Sequence, residues 1–417
     1  MPSLRNWRKK RVTKSDDKKV PALRFKGFTD DWEQRKFESL IYPEKIKNKN
    51  NLQLPAYSIS NKNGFIAQTD QFGKDNTYSK TDKKTNYIVN PGAFAYNPAR
   101  INVGSIGYQN LATPVLVSSL YEVFKTNSQI NDLFLIYWFK TDKFFNQIKK
   151  YEEGGVRQYY FLDKLLFSEI IIPKDAREQQ KISKILKKLD YLFSLQQRKL
   201  EQLNLLKKGL LQKIFSDNDF RPNLRFKNFN EKWKQHKLGS IVHWSKGNHL
   251  KKSTLNSKYD GYEVIHYADL YKFKPVLSKV IHWSRNNTGT IIPANSLLFP
   301  MSDVTPDGLA RTTAMMKNGV RAGSDILIAT VKNNNAEFLS YQINLYSKRI
   351  VPLVTGTTIR HINSKALSTL NIKIPTNSEQ NIISKLFIFF ENFVDLQQSK
   401  INQLKLLKKF ILNNMFI

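Results

Sequence analysis

The 417-residue chain contains no cysteine, which excludes disulfides, thiolate metal sites and a cysteine nucleophile. That absence suits a reducing compartment, and a cytoplasmic protein is expected. No apolar run approaches the roughly 18 residues that a membrane-spanning helix needs. There is no Pro-Pro pair, so the D/N-P-P-Y/F loop used for methyl transfer to an exocyclic amine is missing; Asn97-Pro98-Ala99-Arg100 is the nearest approach. No G-x-x-x-x-G-K-S/T phosphate loop occurs, so ATP-driven motion is not encoded. Pro306-Asp307 is not followed by the D/E-x-K of a common nuclease core, and Asp303 with Asp307 reads as a turn. The six histidines have neither H-x-x-x-H nor H-E-x-x-H spacing, so no zinc site is expected.

Acidic residues are also scarce. Asp and Glu number 34 against 67 Lys and Arg, a net charge of +33. Such a field draws polyanions, and nucleic acid is the leading partner class. No basic amphipathic helix with a bulky apolar face stands out, which argues against a membrane surface. Residues 1–20 are polar and basic without an apolar core, and are expected to be a flexible tail rather than a signal peptide.

What is present is a repeat. PALRFKGFTDDWEQRKF at 21–37 returns as PNLRFKNFNEKWKQHKL at 222–238, with nine of 17 residues identical at a shift of 201. Glu178-Gln179 returns as Glu379-Gln380, Leu195-Gln196-Gln197 as Leu396-Gln397-Gln398, and LLKK at 205–208 as LLKK at 406–409. The middles differ, apart from the faint echo of PGAFAY at 91–96 in PANSLLF at 293–299. A frame kept while its filling changes points to two recognition modules on one support.

Residues 177–214 carry a stripe from Ile182 and Leu186 through Leu206 and Leu210 to Ile214, spaced three and four apart as in an amphipathic helix. Residues 379–415 carry its twin, from Ile382 and Phe389 through Leu396 and Leu407 to Met415. Neither stripe is stable alone in water, and two in one chain can bury their seams on each other as an antiparallel, coiled-coil-like pair about 57 Å long. The stripe slips phase near Gln196 and Gln397, predicting a stutter. Between the repeats, short β-branched and aromatic segments bounded by Gly, Pro and Asn read as strands and turns. Residues 130–149 read as a helix with an aromatic face.

The fold expected is α+β: two mixed α/β lobes separated by two long antiparallel helices that form a coiled-coil-like spacer, related by a pseudo-twofold internal repeat. The divisions are a tail (1–20), a first recognition domain (21–160), a central repeat region with a long helix (161–221), a second recognition domain (222–361) and a C-terminal repeat region with a long helix (362–417). Polar turn residues are the candidates for reading bases, since Arg and Lys pair with guanine's edge and Asn and Gln with adenine's. In the first lobe these are Asn61, Lys62, Asn63, Gln68, Arg100, Asn102, Arg157, Gln158 and Tyr159. In the second they are Lys246, Asn248, His249, Lys251, Lys252, Arg311, Asn333, Asn334, Asn335, Arg360 and His361.

These phrases resemble the specificity subunit of type I restriction-modification enzymes. The resemblance rests on LRFKGF…W (23–32) and LRFKNF…W (224–233), on IIIPK…EQQKI (170–182) and IKIPT…EQNII (372–383), and covers nearly everything after residue 20. It implies that each variable lobe recognises one half of a bipartite site in double-stranded DNA. It also implies that the helices fix the gap and dock two methyltransferase subunits, which two restriction (motor-nuclease) subunits then join. The chain would have no catalysis or cofactor of its own, with S-adenosylmethionine, ATP and Mg²⁺ on the partners. A spacer of about 57 Å can carry lobes one DNA turn, about 34–36 Å, apart. Read from the residues alone, a stand-alone bivalent nucleic-acid-binding scaffold remains the alternative.

Overall fold

A computed structural model describes residues 20–61, 63–72, 83–151, 159–215 and 220–417. The chain forms two compact units: one is the chain up to Gln196 together with Lys400–Ile417, the other Gln197–Ser399.

The first unit is built on strands β1 (Glu33–Lys36), β2 (Ile41–Pro43), β3 (Ile46–Lys47), β4 (Tyr57–Ser60), β5 (Gly64–Ala67), β6 (Tyr87–Val89), β7 (Phe94–Tyr96), β8 (Ile106–Tyr108), β9 (Val115–Val117), β10 (Glu122–Thr126) and β11 (Glu169–Ile172). They make a four-stranded sheet in the order β2-β10-β7-β8, a three-stranded sheet β3-β6-β9, the hairpin β4-β5 and the ribbon β1-β11. Helices α1 (Gln68–Phe72), α2 (Asp132–Trp138), α3 (Asp142–Tyr151) and α4 (Leu162–Phe167) complete the lobe. The helix expected over 130–149 is thus two helices. Thr141 ends the first by donating its hydroxyl to the Trp138 carbonyl at 2.7 Å. The aromatic face is core: Phe37, Phe94, Phe124, Phe134, Trp138 and Phe139 are all buried.

The long helix α5 (Ala176–Ile214) runs from the first unit into the second. There, strands β12 (Lys234–Lys237), β13 (Val242–Lys246), β14 (Tyr262–Ile265), β15 (His282–Ser284), β16 (Thr290–Ile291), β17 (Ser296–Pro300), β18 (Ser302–Asp303), β19 (Thr313–Met315), β20 (Arg321–Ala322), β21 (Ile326–Val331), β22 (Arg360–His361) and β23 (Asn371–Ile374) follow. The sheet β13-β21-β17-β19 repeats the four-stranded sheet of the first unit, and the ribbon β12-β23 repeats β1-β11. A second sheet runs β15-β14-β20-β16, and β18 pairs with β22. Helices α6 (Leu238–Ile241), α7 (Pro306–Leu309), α8 (Ala336–Leu345) and α9 (Ser364–Leu367) precede the second long helix, α10 (Asn377–Met415).

Each unit holds the start of one long helix and the end of the other, and within each unit the two run antiparallel. In the first, Ile182, Leu186 and Leu189 share a core with Ile411, Met415 and Phe416. In the second, Ile214 and Phe215 share one with Ile383 and Phe387. The stripes are not wholly buried, however. Leu206, Phe389, Leu396 and Leu407 remain exposed, because a two-helix pair covers only one side of a stripe that drifts around the helix.

A buried clasp ties each lobe to its helix. The Arg24 guanidinium donates to both oxygens of Glu178 at 2.7 and 2.8 Å, and the Trp32 indole donates to the same carboxylate at 3.3 Å. Arg225 and Trp233 hold Glu379 in the same way, at 2.9, 2.7 and 3.4 Å. The hydrogen bond that Arg24 donates to Glu178, then the charge of that carboxylate, pushes the Arg24 pKa above its ordinary value. Both glutamates stand in the first turn of their helices, where the helix dipole favours a carboxylate.

Candidate nucleic-acid interface

In the first unit the β4-β5 hairpin carries Asn61 and Asn63 at its exposed turn. This turn packs on the segment 100–107. Ser105 donates its hydroxyl to the Ile59 carbonyl at 2.8 Å. Gly104 takes a left-handed φ of +86°, and a Cβ there would stand 3.8 Å from that of Asn61. Arg100 and Asn102, both exposed, sit on that second turn. The fold therefore brings Asn61, Asn63, Arg100 and Asn102 to one edge of the lobe. Tyr159 reaches the same neighbourhood, since the next residue, Tyr160, donates its N–H to the Pro98 carbonyl at 3.1 Å. The Tyr159 ring stacks flat on the exposed Phe161, 5.5 Å away and 1° from parallel. Gln68 stands at the other end of β5, half-buried, its Oε1 without a partner among the described residues. Lys62, Arg157 and Gln158 lie outside the described residues, as do residues 1–19 of the expected tail.

In the second unit Lys246 ends β13, and Asn248, His249, Lys251 and Lys252 follow on the loop that leaves it, all exposed. Gly247 anchors it by donating to the Ile326 carbonyl at 2.9 Å. A Cβ at this position would fall 2.0 Å from the Gly323 carbonyl oxygen, so no larger residue fits the crossing. A second group gathers around Tyr271. Arg311 lies over its ring at 5.2 Å and donates to its carbonyl at 2.9 Å. The Tyr271 hydroxyl donates to the Ser302 carbonyl at 2.9 Å. β18 pairs with β22, setting Ser302 opposite His361 and Asp303 opposite Arg360. Burial first, then Asp303, push the Tyr271 phenol well above its ordinary pKa, so it stays a donor. Arg360 donates to the Gly356 carbonyl, while the His361 side chain is exposed.

The two lobes present these segments at matching places. Ile362 donates its N–H to the Met301 carbonyl at 3.0 Å, as Tyr160 does to Pro98. Phe161 and Asn363 are the N-caps of α4 and α9. Tyr159 and His361, each two residues before the cap, are therefore counterparts.

Asn333, Asn334 and Asn335 serve a different part of the molecule. Asn335 caps α8 through the Phe338 N–H at 3.0 Å and donates its own N–H to the Gln380 side chain at 2.9 Å, while Asn334 Oδ1 accepts from Gln380 Nε2 at 3.0 Å. They face the long helix, beside a cleft of about 350 Å³ lined by six asparagines. The first unit has the same joint: Asn131 caps α2, its N–H donates to Gln179 at 2.7 Å, and Ser183 donates to its side chain at 3.1 Å. Sequence reading missed this joint. Its signal was there, as an Asn three residues ahead of a buried Phe in NDLF (131–134) and NAEF (335–338).

Similarity to known proteins bears on this arrangement. The profile of the type I restriction modification DNA specificity domain matches twice, at residues 29–205 and 230–406. The chain belongs to this family. It is a type I restriction-modification specificity subunit with two target-recognition domains. The MjaVIII specificity subunit of Methanocaldococcus jannaschii is 24% identical over 322 residues, 72% of each chain. The MjaX specificity subunit of the same organism, a putative one, is 21% identical over 422 residues, 92% of each. Among solved structures, the type I restriction-modification S subunit from M. genitalium superposes with a TM-score of 0.61 at 13% identity, covering 95% of this chain and 99% of that one; the likeness is one of fold. No helix among the described residues is long and apolar enough to cross a membrane, and no cluster of three or more potential metal ligands occurs among them.

Proposed function

We propose that the chain reads a bipartite site in double-stranded DNA, one half per lobe. The observation that supports this most is a duplicated frame that presents unlike polar turns at matching places. Asn61, Asn63, Arg100, Asn102 and Tyr159 form the first reading edge, with Lys62, Gln68, Arg157 and Gln158 belonging to the same lobe. Lys246, Asn248, His249, Lys251, Lys252, Arg360 and His361 form the second, where Arg and Asn side chains discriminate base edges and Lys neutralises phosphate. Arg311 acts one step back, through Tyr271, while Asn333, Asn334 and Asn335 sit at the joint between the lobe and the long helix rather than on the reading edge.

The helix pair sets the gap between half-sites and docks two methyltransferase subunits. Leu195, Leu205 and Leu206 are exposed on one helix and Leu396, Leu406 and Leu407, each 201 residues on, are exposed on the other. Apolar rows left open to water mark surfaces that another protein covers, and their duplication fits two copies of one partner. Two restriction subunits complete the complex. Catalysis, S-adenosylmethionine, ATP and Mg²⁺ reside on those partners, and the adenine to be methylated is flipped into the methyltransferase rather than into this chain.

Coexpression with the methyltransferase encoded beside this gene tests the reading. A stable complex that methylates a split sequence is expected. A chain that binds DNA but stays alone is a stand-alone scaffold, and methylation by the isolated chain would overturn the proposal.

A further inference from the structure

The two ribbons that close the frame differ at one edge. In the second unit the outer edge of β23 is satisfied from within. The Gln342 side chain of α8 donates to the Lys373 carbonyl at 2.8 Å and accepts the Lys373 N–H at 3.0 Å. A primary amide is a peptide group in miniature, so this edge already has the partner that a further strand would supply.

The first unit has no such plug. Lys373 pairs with Gln235 in its ribbon and Ile171 pairs with Gln34 in the other, so Ile171 is the counterpart of Lys373. Trp138 is the counterpart of Gln342, each standing seven residues after the asparagine that caps its helix. An indole donates one hydrogen bond and accepts none. Trp138 is 1% exposed, and its N–H has no partner among the described residues. No partner outside the ribbon is found there for the Ile171 backbone either. Both groups border a cleft of about 380 Å³ between β11 and α3, whose other walls include Gln34, Lys143, Gln147 and Glu169. Lys143 is exposed.

We propose that this edge takes up an extended segment of the methyltransferase subunit, which adds a third strand to the ribbon β1-β11. The inference rests on the functional reading above. Extended backbone alternates N–H and C=O toward a strand edge, so it satisfies the outward N–H and C=O of Ile171 and supplies an acceptor for the indole. A carboxylate on the segment meets Lys143. Because Gln342 closes the equivalent edge, the segment docks once per chain, and the two methyltransferase copies are held unequally.

The test is amide exchange on the full chain, free and in complex with the coexpressed methyltransferase. Exchange at Ile171 is expected to slow at least tenfold in the complex, with Lys373 unchanged. Trp138→Gln, which copies the plug of the other unit, is expected to remove that difference while the complex still forms through the helices. Ile171→Pro, which deletes the outward N–H, should weaken the complex at least fivefold and leave DNA binding by the free chain intact. Unchanged exchange at Ile171 in an intact complex overturns the proposal and spares the functional reading. Failure of the methyltransferase to bind at all overturns both. Protection of Ile171 in the concentrated free chain would assign the edge to a second copy of this chain and overturn the proposal equally. Should either variant fail to fold, the wild-type exchange result decides.

Discussion

Asp190 of α5 is ion-paired with Lys408 of α10 in the first unit. Shifted by 201 residues, with the helices exchanging roles, the same relationship recurs as Glu391 with Lys207 in the second. The pairs are not identically braced. Asp190 also accepts from the Tyr137 hydroxyl at 3.0 Å, whereas Glu391 is met by Lys274 at 3.1 Å, and Lys274 reaches Asp395 as well. The duplicated frame thus keeps its helix-to-helix ion pair while each lobe props it from a different residue.

The clasps give the first prediction. Glu178 is 1% exposed, so Glu178→Gln leaves the partly buried Arg24 without its counter-charge. Breaking a buried pair costs about 3–5 kcal/mol; with the amide retaining one acceptor, a loss near the lower end is expected, read as a fall in thermal midpoint. Glu379→Gln should cost the same within error. A negligible effect at both positions would show that the clasps do not tie lobes to helices.

Arg100 tests the first reading edge. Arg100→Ala should weaken binding to the cognate site by about 1–3 kcal/mol and relax preference in one half-site only. Competition binding with oligonucleotides altered in either half measures this, and equal relaxation in both halves would contradict the assignment.

Lys251 and Lys252 are expected to act on phosphate. Neutralising both should lower affinity for cognate and unrelated DNA alike. The slope of log K against log salt should also become shallower by about 0.9 for each phosphate that no longer meets a cation. An unchanged salt slope with altered sequence preference would make them base readers instead.

The second unit should also soften in acid. His266 accepts the Ala268 N–H on its ring nitrogen, and the buried Asp269 receives the His266 backbone N–H and faces His282 at 2.9 Å. Burial lowers the His266 pKa, opposed by Asp269 and aided by His282 and Lys252. The unfolded chain therefore binds this proton first. Stability is fully present above the ordinary value of about 6.5 and is lost as pH falls through it toward the lowered one. His266→Asn keeps an acceptor without the titration, so its thermal midpoint should fall less than wild type between about pH 7 and about pH 5. Parallel falls would place the acid-sensitive group elsewhere.

The frame was readable because the residues that repeat are those that cannot vary independently. Arg24, Trp32 and Glu178 form one buried node, and so do Arg225, Trp233 and Glu379. The lobes were less readable. Their strands are two to six residues long and pair across long separations, as β10 does with β2, so local periodicity says little. Reading residues were least readable of all. Asn334 and Asn335 have the composition of base readers but spend their amides on Gln380 and the α8 cap, a use visible only once α10 is packed against that turn. The exposed Phe161 was missed because a single aromatic ahead of a helix carries no signal until its stacking on Tyr159 is seen.

Domain exchange tests the central claim most directly. Residues 42–150 are replaced by the corresponding lobe of another family member, and the sequence methylated in cells is determined genome-wide. One half of the bipartite site should change, with the other half and the gap retained. A change in both halves, or in neither, would contradict two independent readers on one frame.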